Sequence, residues 1–153
     1  MDIETLADYI LEFYSERCEP VSNVYLNRLL YMMYVNYYNY TGKELFKDEI
    51  VAWKVGPIVR KIYFKYRLYE DSPIYKSKSF INIPKNLSQI INTTLMEYSC
   101  VNTINNISIV VNEKAKAWKF VFDKYGSDNP IPKHLIESMD CRKRRNLKHR
   151  YVM

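Results

Sequence analysis

The side chains able to carry acid–base, nucleophilic or metal chemistry are few and scattered. The two histidines, His134 and His149, lie near the C-terminus and far apart in sequence, and the three cysteines, Cys18, Cys100 and Cys141, include no CxxC pair. Zinc sites use Cys and His clustered at short spacings, so no metal centre is expected. An odd number of isolated cysteines reads as free thiols. Asp48 and Glu49 are adjacent carboxylates in what reads as a turn, where they serve as solvent-facing charge. With only three glycines, Gly42, Gly56 and Gly126, neither a GxGxxG nor a Walker loop can be formed. No nucleophile–base pair stands out, and neither catalysis nor a cofactor is predicted.

The side chains suited to recognition are more concentrated. Arg60, Lys61, Tyr63 and Arg67 lie along the polar side of a predicted helix. Arginine offers bidentate hydrogen bonds and tyrosine a large contact surface at little entropic cost. These four residues are the candidate partner-binding set. A second basic group, Arg142, Lys143, Arg144, Arg145, Lys148 and Arg150, stands at the C-terminus. It could neutralise phosphates in a salt-dependent way or attract an acidic partner. Residues 140–153 carry six cations and one anion, while residues 1–139 carry seventeen and sixteen, so almost all of the net charge of +6 belongs to the tail.

The elements that must position these residues follow from apolar spacing. Ile3, Leu6, Ile10, Phe13 and Tyr14 make an amphipathic helix with Glu4, Asp8, Glu12 and Glu16 largely opposite, broken by the segment from Arg17 to Pro20. Ser22 is suited to cap a second helix along Leu26, Leu29, Leu30, Met33, Tyr37 and Tyr40, ended by Gly42. The helical period lapses at residues 45–53, which predicts a small β-hairpin or extended arm. Gly56-Pro57 then opens a third helix, with Pro57 in its first turn. Residues 72–83 read as a loop. Asn86 and Gln89 have capping-box spacing ahead of a fourth helix. Residues 104–111 fit a helix or a strand equally well.

A further helix runs from Ala115 to Tyr125 with Trp118, Val121, Phe122 and Tyr125 inward, followed by a turn at Asp128-Asn129-Pro130 and a short helix through Leu135 and Ile136. The expectation is a mainly α, compact single-domain fold over residues 1–139, with a basic tail at 140–153. The 15 tyrosines fill places where other cores use Leu or Phe, each needing its hydroxyl to reach water or a partner. No apolar run approaches the ~20 residues that cross a bilayer and no signal-peptide pattern opens the chain, so the expected location is the cytoplasm.

Over residues 6–75 these features combine into a pattern. Leu26-Asn27-Arg28-Leu29-Leu30-Tyr31 is followed by Thr41-Gly42-Lys43-Glu44-Leu45-Phe46, and then by Ile50-Val51-Ala52-Trp53-Lys54-Val55-Gly56-Pro57. This resembles the Panacea domain of SocA-like antitoxins, whose usual text is close to L-x-K-L-L-Y, T-G-x-x-L-F and I-x-A-W-x-x-G-P-V. Trp118 and Asn129-Pro130-Ile131 are similar to later elements of that family, whereas the histidine usual before the later Trp is replaced near Asn112 or Glu113. Leu29, Leu30, Tyr31, Trp53, Gly56, Pro57 and Trp118 form the fold signature in this chain.

The resemblance implies a cytoplasmic antitoxin, phage-associated in some cases, that neutralises a companion toxin by binding it and can act as a protease adaptor. Two other readings use the basic tail: inhibition of a host nuclease such as a CRISPR effector by a mobile-element protein, or direct nucleic-acid binding. Oligomeric state is not legible in the sequence. A core position for Trp53 would make Trp53→Ala cost about 3–5 kcal/mol.

Overall fold

The computed structural model describes residues 1–99, 111 and 113–142. Helices α1 (Ile3–Glu16) and α2 (Asn23–Thr41) are followed by strands β1 (Ile50–Trp53) and β2 (Gly56–Val59) and helix α3 (Arg60–Lys65). After a 3-10 turn at Arg67–Tyr69 come α4 (Lys85–Ser99), α5 (Lys116–Tyr125), strand β3 (Asn129–Pro130) and α6 (Lys133–Met139). The fold is mainly α, as expected, around a small antiparallel sheet of order β2-β1-β3.

Local chemistry explains the first two helices. Asp2 accepts a hydrogen bond from the Thr5 amide at 2.9 Å and caps α1. The helix ends where Cys18 takes a left-handed φ of 54°, a geometry more often given to glycine. Ser22 caps α2 through the Tyr25 amide, and Gly42, with φ 69°, ends it. Every residue from Leu29 to Val35 is buried, so this helix is covered on all sides and forms the centre of the core.

The tyrosine hydroxyls are accommodated as such a core demands. Tyr14 donates to the Leu95 carbonyl, Tyr34 to Glu137, Tyr9 to Asn92 and Tyr31 to Asp140.

The Asp140 carboxylate also accepts from the amides of Lys116 and Ala117 at 2.8 and 3.3 Å, capping α5 from the far end of α6. Burial pushes the Asp140 carboxyl above its ordinary pKa in spite of these donors. Asp140, placed by sequence at the head of the tail, is therefore tied into the folded body. Of the tail cations only Arg142 lies within the described residues, its amide donating to Asn39.

Several expectations are corrected. The hairpin turns at Lys54-Val55, not among the charges before Ile50, and pairs Trp53 with Gly56 through Ile50 with Val59. Gly56-Pro57 therefore begins a strand and not a helix, and α3 starts three residues later at Arg60. Pro57 is tolerated because β2 is an edge strand, and Gly56 takes a φ of 130° that suits glycine alone. Asn129-Pro130 is not merely a turn but pairs with Val51 and Ala52 as the third strand.

Helix α4 begins at Lys85, so Asn86 lies inside it and forms no capping box. Tyr125 is exposed because the inward face of α5 ends at Phe122. Glu12 is buried, since the segment after α3 crosses α1 and Ser79 donates to it through both its amide and its hydroxyl. The ambiguous residues 104–110 lie outside the described residues, while Val111 is buried.

The hairpin and α3 are fixed to the core by polar side chains on the first turns of α2. Asn27, fully buried, donates to the Asn23 carbonyl and side-chain oxygen and accepts from the Val59 amide at 2.9 Å. Asn23 in turn donates to the Tyr63 carbonyl at 2.8 Å. Arg28 donates to the Val55 carbonyl at 2.7 Å. Truncating Asn27 leaves a buried amide donor without its acceptor, which costs about 1–3 kcal/mol per unsatisfied group. Asn27→Ala is expected to lower unfolding free energy by about 2–3 kcal/mol in urea titrations, whereas Asn36→Ala, a partly exposed position, should change it by less than about 1 kcal/mol.

Candidate protein-docking surface

The structure brings Arg60 and Tyr63 of the candidate set together and separates them from the other two. Arg60, Tyr63 and Phe64 share one side of α3, as their spacing of three and four dictates. That side meets Trp53 at the end of β1. The Trp53 ring lies 4.6 Å from Tyr63 and 6.2 Å from Phe64, centroid to centroid, in edge-to-face contacts. Phe64 is 47% exposed and Val55, at the hairpin tip, 42%.

Lys61 and Lys65 run along the adjacent side of α3 towards the first turn of α1, where Lys65 approaches Glu4 at 3.9 Å and where the Asp2 carboxyl is held below its ordinary range chiefly by the Thr5 hydrogen bonds, with a smaller contribution from Lys61. Arg67 is exposed in the 3-10 turn beyond α3.

Asp128 organises the centre of the surface. It sits on the connection from α5 to β3 with a left-handed φ of 66°, and its amide donates to the Ala52 carbonyl. Its carboxylate accepts from Trp53 Nε1 at 3.0 Å and from Arg60 Nη2 at 2.9 Å. One anion thus sets both the indole plane and the guanidinium. The Arg60 Nε donor is buried without a hydrogen-bond partner, and its side chain is otherwise 40% exposed. The pair is largely solvated, so its worth to stability is at most about 1 kcal/mol. Its consequence is orientation.

The fold signature divides between core and surface. Leu29, Leu30 and Tyr31 are buried in α2. Gly56 and Pro57 are buried in β2. Trp118 is half-buried, stacks on Phe122 and donates through Nε1 to the Trp53 carbonyl at 2.7 Å, closing the end of β1 against α5.

Trp53 is not a core residue, contrary to the sequence expectation. Its carbonyl is used by the fold, while its ring lies half-buried at the surface among Tyr63, Phe64 and Asp128. Sequence reasoning missed Phe64, Val55 and Asp128. Phe64 was detectable as the residue four beyond Arg60. No local signal joins Asp128 to a residue 75 positions away. The ring's partial exposure lowers the expected cost of Trp53→Ala to about 1–2 kcal/mol, measurable by thermal or urea unfolding.

The family model described as "Antitoxin SocA-like, Panacea domain" matches residues 26–131. This span runs from the start of the α2 apolar line through the docking surface to Ile131, and omits α1. No curated protein and no solved structure matches the chain. With well over half of its 153 residues covered, including each signature element from Leu29 to Trp118, the chain belongs to the SocA-like antitoxin family of Panacea domains.

Proposed function

We propose that this protein is a non-enzymatic antitoxin that neutralises a partner toxin by direct binding, and that its contact surface is built on Trp53, Arg60, Tyr63 and Phe64. Family membership supports a toxin–antitoxin role in general. The observation that carries the finer reading is the half-exposed aromatic group beside an oriented arginine. Interface energy concentrates on Trp, Tyr and Arg held in fixed rotamers, and the ring contacts and Asp128 hold them so here. Orientation before binding lowers the entropic cost of association. The described residues also include no helix long and apolar enough to cross a membrane.

In this reading the tail cations Lys143, Arg144, Arg145, Lys148 and Arg150 assist by attraction, which acts mainly on the association rate. The test is co-expression with the product of the neighbouring reading frame, scored by growth, with pull-down of the complex. Phe64→Ser with Arg60→Glu should abolish rescue and weaken the complex by about tenfold or more, with melting temperature changed little because Phe64 is half exposed and the Arg60–Asp128 pair is largely solvated. Replacing the five tail cations by Gln should preserve rescue while lowering the association rate and its salt dependence. Rescue lost in the tail variant alone would overturn the proposal and favour a tail-borne function towards nucleic acid or a nuclease.

A further inference from the structure

An excess of positive charge is concentrated on this surface and the parts of the chain that adjoin it. Residues 54–69 contain Lys54, Arg60, Lys61, Lys65 and Arg67 and no acidic residue, whereas the other residues of 1–139 contain twelve cations and sixteen anions. The segment therefore carries +5 on a body that is otherwise −4. It comprises the hairpin tip, β2, α3 and the 3-10 turn, which follow one another along the chain, with α3 packed on β2. The two ion pairs found on it join Arg60 to Asp128, which is 63% exposed, and Lys65 to Glu4 at the long distance of 3.9 Å. Much of its field is thus directed to solvent.

Exposed apolar groups stand between these cations. Val55 follows Lys54 at the tip, Phe64 precedes Lys65, and Leu68, 90% exposed, follows Arg67. A solvated cationic face does not need such groups, and together they describe the core and rim of an interface. The ring arrangement bears on which polyanion fits. Trp53, Tyr63 and Phe64 pack edge to face, with interplanar angles of 68°, 79° and 82°. The edge of one ring meets the face of the next, so they do not form the parallel platform that successive bases stack on. Aliphatic Val55 and Leu68 likewise offer nothing to a base.

We infer that this surface takes an acidic protein segment: carboxylates around one or two large apolar side chains, the apolar group seated between Phe64 and the hairpin tip and the carboxylates on Lys54, Arg60, Lys61 and Arg67. Asp128 marks the geometry, since its own carboxylate already occupies one edge of the Arg60 guanidinium and leaves further N–H donors for an incoming carboxylate. The inference rests on the docking surface proposed above and names the chemistry of its partner.

The test uses the full chain and defined probes. Fluorescence anisotropy would follow a labelled peptide of about 14 residues, rich in Asp and Glu around a central Phe-Leu. Three controls accompany it: the Asn/Gln counterpart, an acidic peptide with Gly-Ser in place of Phe-Leu, and a single-stranded DNA of equal charge. Tail attraction is removed by using the variant with Lys143, Arg144, Arg145, Lys148 and Arg150 all changed to Gln.

The acidic Phe-Leu peptide should bind this variant at least about tenfold more tightly than any control, and should weaken as salt is raised. Lys61→Glu with Arg67→Glu should abolish binding. Phe64→Ser should reduce it to the level of the Gly-Ser peptide. Equal binding of DNA and of both acidic peptides, insensitive to Phe64→Ser, would overturn the inference and make the face a general polyanion surface. Absence of peptide binding alongside intact toxin neutralisation would overturn it while leaving the antitoxin reading standing. Peptide binding without neutralisation would do the reverse.

Discussion

The placement of the hairpin and α3 depends on two buried amides. Asn23 and Asn27 are one helical turn apart on α2, nearly inaccessible to solvent, and each hydrogen-bonds a backbone group that would otherwise be stranded. Val59 is the junction of β2 and α3 and has no side-chain cap of its own. Tyr63 lies in the last turn of a helix of only six residues, too short to form on propensity alone. The amides supply from α2 what α3 cannot supply itself. Arg28 adds the third attachment at the hairpin tip. Because the same atoms fix Val59 and the Tyr63 backbone, they also determine where Arg60, Tyr63 and Phe64 stand.

This arrangement explains why the central helix carries polar residues at its start and an apolar and tyrosine surface from Leu29 to Val35. Its first turns hold the sheet and α3, while from Leu29 to Val35 it is enclosed by α1, α4 and α6. Tyrosine suits the enclosed part because its ring fills volume while its hydroxyl can satisfy a polar group in the next layer. Tyr31 illustrates the consequence: its hydroxyl holds Asp140, and Asp140 caps α5, which has no cap from its own sequence. A residue of the L-L-Y signature thus acts across three helices, and its signature role is more than apolar filling.

Much of the fold was legible in the sequence because it is written locally. The spans of α1 and α2, the Ser22 cap and the Gly42 terminus are short-range signals, and each holds, although Tyr40 at the end of the α2 line is exposed. The errors share a different origin. Gly56-Pro57 satisfies the local rules for opening a helix, yet pairing with β1 is a tertiary gain that overrides them. Glu12 has the spacing of a solvent-facing residue, and only a distant segment makes it buried. The docking surface was legible in part for the same reason. Arg60 and Tyr63 share a helix side by spacing, but Trp53 joins them through a hairpin whose turn was misplaced by several residues, and Asp128 arrives through the third strand.

The separation of scaffold from surface also bears on how freely the outward-facing side chains can vary. The contacts that fix α3 are made by the backbone of Val59 and Tyr63 and by side chains of α2. The groups facing outward, Lys54, Val55, Phe64 and Arg67, lie on those elements without being needed for their attachment: Val55 contributes its carbonyl to Arg28, which any residue could provide. Exposed positions of this kind accept substitution at a cost within about 0.5 kcal/mol. Charge and apolar character can therefore change at the tip and along α3 while the amide lock, the Trp118 bond to the Trp53 carbonyl and the core stay as they are. Side-chain chemistry can diverge on this face without disturbing the framework that displays it.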